Sequence, residues 1–175
     1  MWEVWEVWEE GTTPHTSHTP HTSHTPARSG ELRLGRTDFG LTNLWVSDGT
    51  PGSTEGNADA AARPVVLEPP PGGTIFRVVE FPPDKAAADF DRKTAFASMG
   101  ADHAMDPDAS RHPGMHKTAT VDYAIVLSGE IWALMDEGET RLEAGDCLVQ
   151  RATNHAWSNR SDRPCLVAFI LVSAT

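Results

Sequence analysis

Two histidines and one aspartate in the second half of the chain, His116, Asp122 and His155, have the side chains and the order to do chemistry. Two imidazoles and a carboxylate are the ligand set of open divalent-metal sites such as iron(II), which leave positions free for substrate or oxygen. The same imidazoles can instead move a proton or take a hydrogen bond near neutral pH. On an extended segment, residues two apart share a face. The even positions His112, Gly114, His116, Thr118, Thr120 and Asp122 then fall on one side, and Val121, Tyr123, Ile125 and Leu127 on the other. Polar residues thus collect on one face of a strand whose other face is apolar, and a polar wall inside a barrel is costly unless it binds something. His155, Trp157 and Asn159 share parity on a later strand. The bland alternatives are a hydrogen-bonded structural histidine at each position and an Asp122 that caps a bend.

The elements that must hold these groups read as strands. Thr118 to Leu127 ends at Ser128-Gly129, Glu130 to Asp136 turns at Glu137-Gly138, and Glu139 to Glu143 turns at Ala144-Gly145-Asp146. Cys147 to Arg151, His155 to Asn159 and Pro164 to Val172 complete the series. Short strands at even spacing with Gly turns predict an all-β sandwich or barrel. Upstream, Ile75 to Phe81 reads as a strand stopped by Pro82-Pro83, and Leu44-Trp45-Val46 as an arm strand that pairs with the main sheet or with a second subunit. Residues 84–112 read as a long loop over the barrel mouth, with one helical turn at most, in Lys85 to Asp91. Trp132 and Trp157 are read as an aromatic wall or as core. Cys147 and Cys165 read as buried small hydrophobes.

Two segments resemble the cupin motifs. Met115-His-Lys-Thr-Ala-Thr-Val-Asp-Tyr-Ala-Ile-Val-Leu-Ser-Gly-Glu-Ile131 is similar to the first, which has His-x-His, then a carboxylate and a Gly. Leu142-Glu-Ala-Gly-Asp-Cys-Leu-Val-Gln-Arg-Ala-Thr-Asn-His-Ala-Trp-Ser-Asn159 resembles the second, with its Gly-Asp turn, His and Asn. The departures are Thr118 at the second histidine position, Asp122 for Glu, Gln150 for Pro and Ala152 for Gly. The resemblance implies a double-stranded β-helix, or jelly-roll cupin barrel, with an N-terminal arm. It implies His116, His155 and Asp122 as catalytic residues and as ligands of a divalent ion (Fe, Zn, Mn or Ni). Either the site holds metal with fewer protein ligands, or His112, or failing that His103, supplies the nitrogen that Thr118 cannot, or metal is lost. Thr118, Thr120, Trp132, Trp157 and Asn159 would line the substrate pocket. The activities implied are those of a dioxygenase, decarboxylase, isomerase or lyase, and a homodimer is expected. The competing expectations are a metal-free module that binds a small ligand and a metal-free acid–base enzyme.

The organisation expected is a low-complexity, disordered leader at 1–30, arm strands and loops at 31–100, and the barrel at 101–175. The leader twice repeats Pro-His-Thr-Ser-His-Thr, so it reads either as a metal-binding tract or as a disordered or mis-assigned start. A formal charge of −11 disfavours nucleic acid and anionic lipid as partners and leaves a small molecule. No apolar run approaches the roughly 20 residues that cross a bilayer. Acidic residues stand where a signal peptide would be basic, and two cysteines make no disulfide framework, so a cytoplasmic protein is expected.

Overall fold

The computed structural model describes residues 30–33, 39–108 and 111–175. Within them, strands form two antiparallel sheets. The larger sheet contains, in spatial order, β1 (Gly30–Arg33), β2 (Gly40–Ser47), β3 (Thr74–Phe81), β9 (Cys165–Ser173), β4 (Thr120–Ser128) and β7 (Cys147–Arg151). The smaller contains β6 (Glu139–Glu143), β5 (Glu130–Met135) and β8 (His155–Ser158). This is the all-β, jelly-roll class expected. The leader, with its His-rich repeat, lies outside the described residues up to residue 29.

Alternation explains which face of the larger sheet turns inward. Asp122, Ala124 and Val126 of β4 are buried while Tyr123 and Leu127 are exposed, as a period of two requires. On β3 the inward residues are Ile75, Arg77 and Val79, and on β9 they are Cys165, Val167, Phe169 and Leu171. Val126 and Val167 share one core with Ile131 and Ala133 of the smaller sheet, so the sheets pack face to face. The chain passes from one sheet to the other at Gly129, where φ is 79°. A Cβ there would stand 2.8 Å from the Pro164 carbonyl oxygen and 3.0 Å from Cys165 Cα, so only glycine fits.

The structure corrects several expectations. The mouth segment contains a helix, α1 (Arg92–Ser98), which starts where the supposed helical turn ends. Asp91 caps it, accepting from the Thr94 backbone N–H at 3.1 Å and from the Thr94 hydroxyl at 2.5 Å. The leading end of the first motif is not part of β4. The strand begins at Thr120, and His116 makes isolated bridges to Met105 and His155. Cys147 is exposed on the edge strand β7, whereas Cys165 is buried. The Leu44–Val46 arm belongs to the larger sheet, between β1 and β3.

Candidate functional site

The two motif histidines are held together by their own backbones. His116 N–H donates to the His155 carbonyl and His155 N–H to the His116 carbonyl, both at 2.9 Å. Such a two-way exchange sets paired residues side by side with their side chains on one face, and the imidazole centroids are 4.3 Å apart. Each ring also bonds to a backbone oxygen: His116 Nδ1 to Gly114 O and His155 Nδ1 to Thr153 O, each at 2.9 Å. A carbonyl only accepts, so Nδ1 carries the proton and Nε2 keeps its lone pair. His112 has the opposite tautomer, because its Nδ1 accepts from Gly114 N–H at 3.1 Å. Gly114 thus serves both histidines, and a Cβ on it would stand 3.1 Å from His112 Nδ1.

His112, His116, His155 and Asp122 border one cavity of about 150 Å³ between the sheets and the 82–99 segment. Its walls are mostly apolar. Ring contacts run from Phe96 to His116 (5.0 Å), across the histidine pair to Trp157 (6.0 Å) and on to Phe169 (5.2 Å). Helix α1 presents Arg92, Ala95, Phe96 and Met99 to the cavity, the stripe that a helix of 3.6 residues per turn lays on one face. Loop 82–90 is tied down by Asp84, which accepts from the Ser158 hydroxyl at 2.6 Å and from Asn159 N–H at 3.1 Å.

Burial inverts the usual order of acid and base here. It pulls His155 down to about 3, with His116 as the second cause. It lowers His116 as well, against the opposing bond to Gly114, and His112, where Arg92 adds to the effect. Asp122 is pushed up to about 6 by burial, with Thr120 and Arg77 opposing. One Asp122 oxygen, Oδ1, is buried with no hydrogen-bond partner among the described residues. In water near pH 5, an aspartate would be ionised and a histidine charged; here the Asp122 carboxyl holds its proton and the His155 imidazole stays neutral.

Not all of the expected metal ligands are brought together among the described residues. Nε2 of His116 and Nε2 of His155 are two suitable nitrogens. His112, the expected third, carries its proton on Nε2 and has its Nδ1 engaged by Gly114. His103 is bonded to Glu68 at 2.9 Å and does not border the cavity. Among the described residues, no three His, Cys, Asp or Glu side chains form one ligand cluster.

The remaining predicted residues divide. Trp157 borders the cavity. Thr118 and Thr120 are buried and bonded to each other at 2.7 Å, behind Asp122. Asn159 lies outside the cavity, where its amide donates to Phe81 O at 2.9 Å and Arg163 O at 2.8 Å and ties β3 to the loop after β8. Trp132 lies on the far face of the smaller sheet, against Met115, Leu134 and Ala156, under the Arg160 guanidinium at 4.5 Å. Sequence reasoning missed Arg77, Arg92 and Phe96. Arg77 was legible as a charge at an inward position of an otherwise apolar strand face, and the other two as members of the α1 stripe.

The cupin domain model matches residues 102–172. The chain is 56% identical over 48 residues to phomopsin biosynthesis cluster protein C′ of Diaporthe leptostromiformis, covering 27% of this chain and 25% of that one. It is 46% identical over 46 residues to the cupin-domain-containing oxidoreductase virC of Hypocrea virens, covering 26% and 24%. The matched region thus spans about a quarter of these curated relatives. Among solved structures, the cupin domain of Schizosaccharomyces pombe Cnp3 aligns with a TM-score of 0.43 at 9% identity, over 81% of this chain and 69% of that one.

Proposed function

We propose, from the premise that this chain is a cupin superfamily protein with its cupin domain at residues 102–172, that it is an enzyme acting on one small organic molecule. The molecule is about the size of one aromatic ring, and the histidine pair moves one of its protons. The carrying observation is that two neutral imidazoles, both with Nδ1–H spent on backbone carbonyls, leave both Nε2 lone pairs for a mostly apolar cavity. A cavity of about 150 Å³ takes a benzene-sized ligand.

His116 is the base in this reading. Burial keeps its free ring neutral, but a proton taken from the ligand leaves an imidazolium beside an anion, and their attraction offsets the burial. His155 stays neutral and accepts a hydrogen bond. Asp122, protonated up to about pH 6, is the acid that returns a proton. The relatives named oxidoreductases and biosynthesis cluster proteins support an enzyme of small-molecule biosynthesis. The test is a phenol titration followed at the imidazole nitrogens by NMR. Saturable shifts at His116 and His155 that vanish in a cavity-filling Phe96→Trp variant support the assignment; unmoved resonances overturn it.

A second reading has the same Nε2 pair binding a divalent ion, and the side-by-side nitrogens are the observation that favours it. Stoichiometric metal in protein lacking residues 1–30, lost in His116→Ala and His155→Ala, would establish it over the metal-free one. The assembly proposed is a homodimer through the outer face of the larger sheet. There Trp45, Phe76, Tyr123 and Val149 are exposed in one row with Ile170.

A further inference from the structure

Arg77 sits on β3 with its side chain turned into the protein and only 2% exposed. A buried guanidinium is costly unless its N–H groups are engaged. Among the described residues it donates once, from Nη2 to the Val66 carbonyl at 2.6 Å. Its Nε is buried with no acceptor. Burial lowers it only to about 10, so it is a cation throughout the neutral range. Asp122 is near enough to stabilise that charge, yet no ion pair joins them among the described residues, and both border the cavity.

A second, independent observation lies on the neighbouring strand. Asn43 is the direct cross-strand partner of Arg77, so the two side chains share the inward face. Asn43 is 1% exposed, and among the described residues neither its Nδ2 nor its Oδ1 has a hydrogen-bond partner. Buried amides and guanidinium nitrogens are nearly always paired in folded proteins. Here two adjacent ones fall short, and Arg77, which borders the cavity, would be completed by an acceptor supplied from within it. The chain carries −11 overall, yet two guanidinium groups, Arg77 and Arg92, border this cavity, with Asp84 and Asp122 as the carboxylates there. A guanidinium at the wall is the group that draws an anion to that spot.

We propose that Arg77, with Asn43 beside it, is an anion subsite, and that the cavity's ligand is a small carboxylate borne on an apolar ring. The proposal rests on the small-molecule reading above and adds the ligand's charge and polarity to it. In the bound state the carboxylate accepts from the free Arg77 N–H groups, while the ring lies along Trp157 and Phe169 toward the histidine pair. Phe169 is the cross-strand neighbour of Arg77 on β9, which puts the charged and aromatic ends of such a ligand next to their partners.

The experiment is calorimetric binding of benzoate and of its neutral isostere benzamide to the full chain. Charge-assisted hydrogen bonds are worth about 1.5–3 kcal/mol, so benzoate is expected to bind about tenfold or more tightly than benzamide. In Arg77→Met the preference disappears while benzamide still binds. Arg77→Lys, which keeps the charge without the fork, retains part of the preference and covers the case of a Met variant that does not fold. Asp122→Asn widens the preference, because a competing carboxylate is gone. Were Arg77 only a counter-charge for Asp122, that substitution would leave the benzoate-to-benzamide ratio unchanged. Equal binding of the two probes, or a preference that survives in Arg77→Met, overturns the proposal. If phenol binds and benzoate shows no preference, the anion subsite alone falls; if no ring probe binds, the small-molecule reading falls with it.

Discussion

His155 and Asp122 are displaced in opposite directions by one cause, the loss of water around a charge, and each displacement is also a statement about stability. His155 titrates at about 3 in the fold against 6.5 in solution. Between those values the unfolded chain binds a proton that the folded chain refuses, so the stability present above about pH 6.5 is lost as pH falls toward 3. Asp122 is raised from 3.8 to about 6. Its contribution is present below 3.8 and is lost as pH rises through about 6. The two oppose each other over most of the same window, and single variants separate them. Thermal midpoints measured against pH should show a flatter acid limb in His155→Gln and a steeper one in Asp122→Asn. An acid limb in His155→Gln identical to that of the parent would mean that the imidazole is not buried neutral.

At the scale of elements, legibility followed periodicity. Strands β6 and β7 have the bounds read from the sequence, Glu139–Glu143 and Cys147–Arg151, because local turns delimit them, at Gly138 and Gly145-Asp146 around β6 and at Ala152 after β7. The inward face of β4 was equally legible from alternation. The mouth was not. Helix α1 is seven residues long and carries its signal in an Asp91 cap and in Arg92, Ala95, Phe96 and Met99, a pattern too short to stand out from loop sequence. The pairing of His116 with His155 was legible only through motif resemblance, since the backbone exchange that creates it joins residues 39 positions apart and leaves no local trace. Asn159 illustrates the converse. Its parity with His155 suggested a cavity position, but its two amide bonds draw it into the loop after β8. Arg77 was visible as an odd charge in an apolar strand, but its meaning needed the neighbouring unpaired Asn43.

For the whole molecule, the outer face of the larger sheet poses the remaining question of assembly. Trp45, Phe76, Ile170, Tyr123 and Val149 are successive cross-strand partners on β2, β3, β9, β4 and β7. Tyr123 and Val149 are 45% and 57% exposed. A contiguous apolar row on a sheet face marks an interaction surface more often than a scatter of single residues does. The homodimer proposed above therefore predicts twice the chain mass in gel filtration at micromolar concentration. A Tyr123→Glu, Val149→Glu double variant should elute as a folded monomer; a parent chain already monomeric there would remove this face from the account. The interior holds the chemistry proposed: a cavity bordered by His116 and His155, both neutral and with Nε2 lone pairs open to a small ligand. Proton–nitrogen correlation NMR of the histidine rings at about pH 7.5 tests it most directly. The account predicts neutral His116 and His155 with the proton on Nδ1, and neutral His112 with the proton on Nε2. Imidazolium signals at His116 or His155, or the proton on Nε2 of either ring, would contradict it.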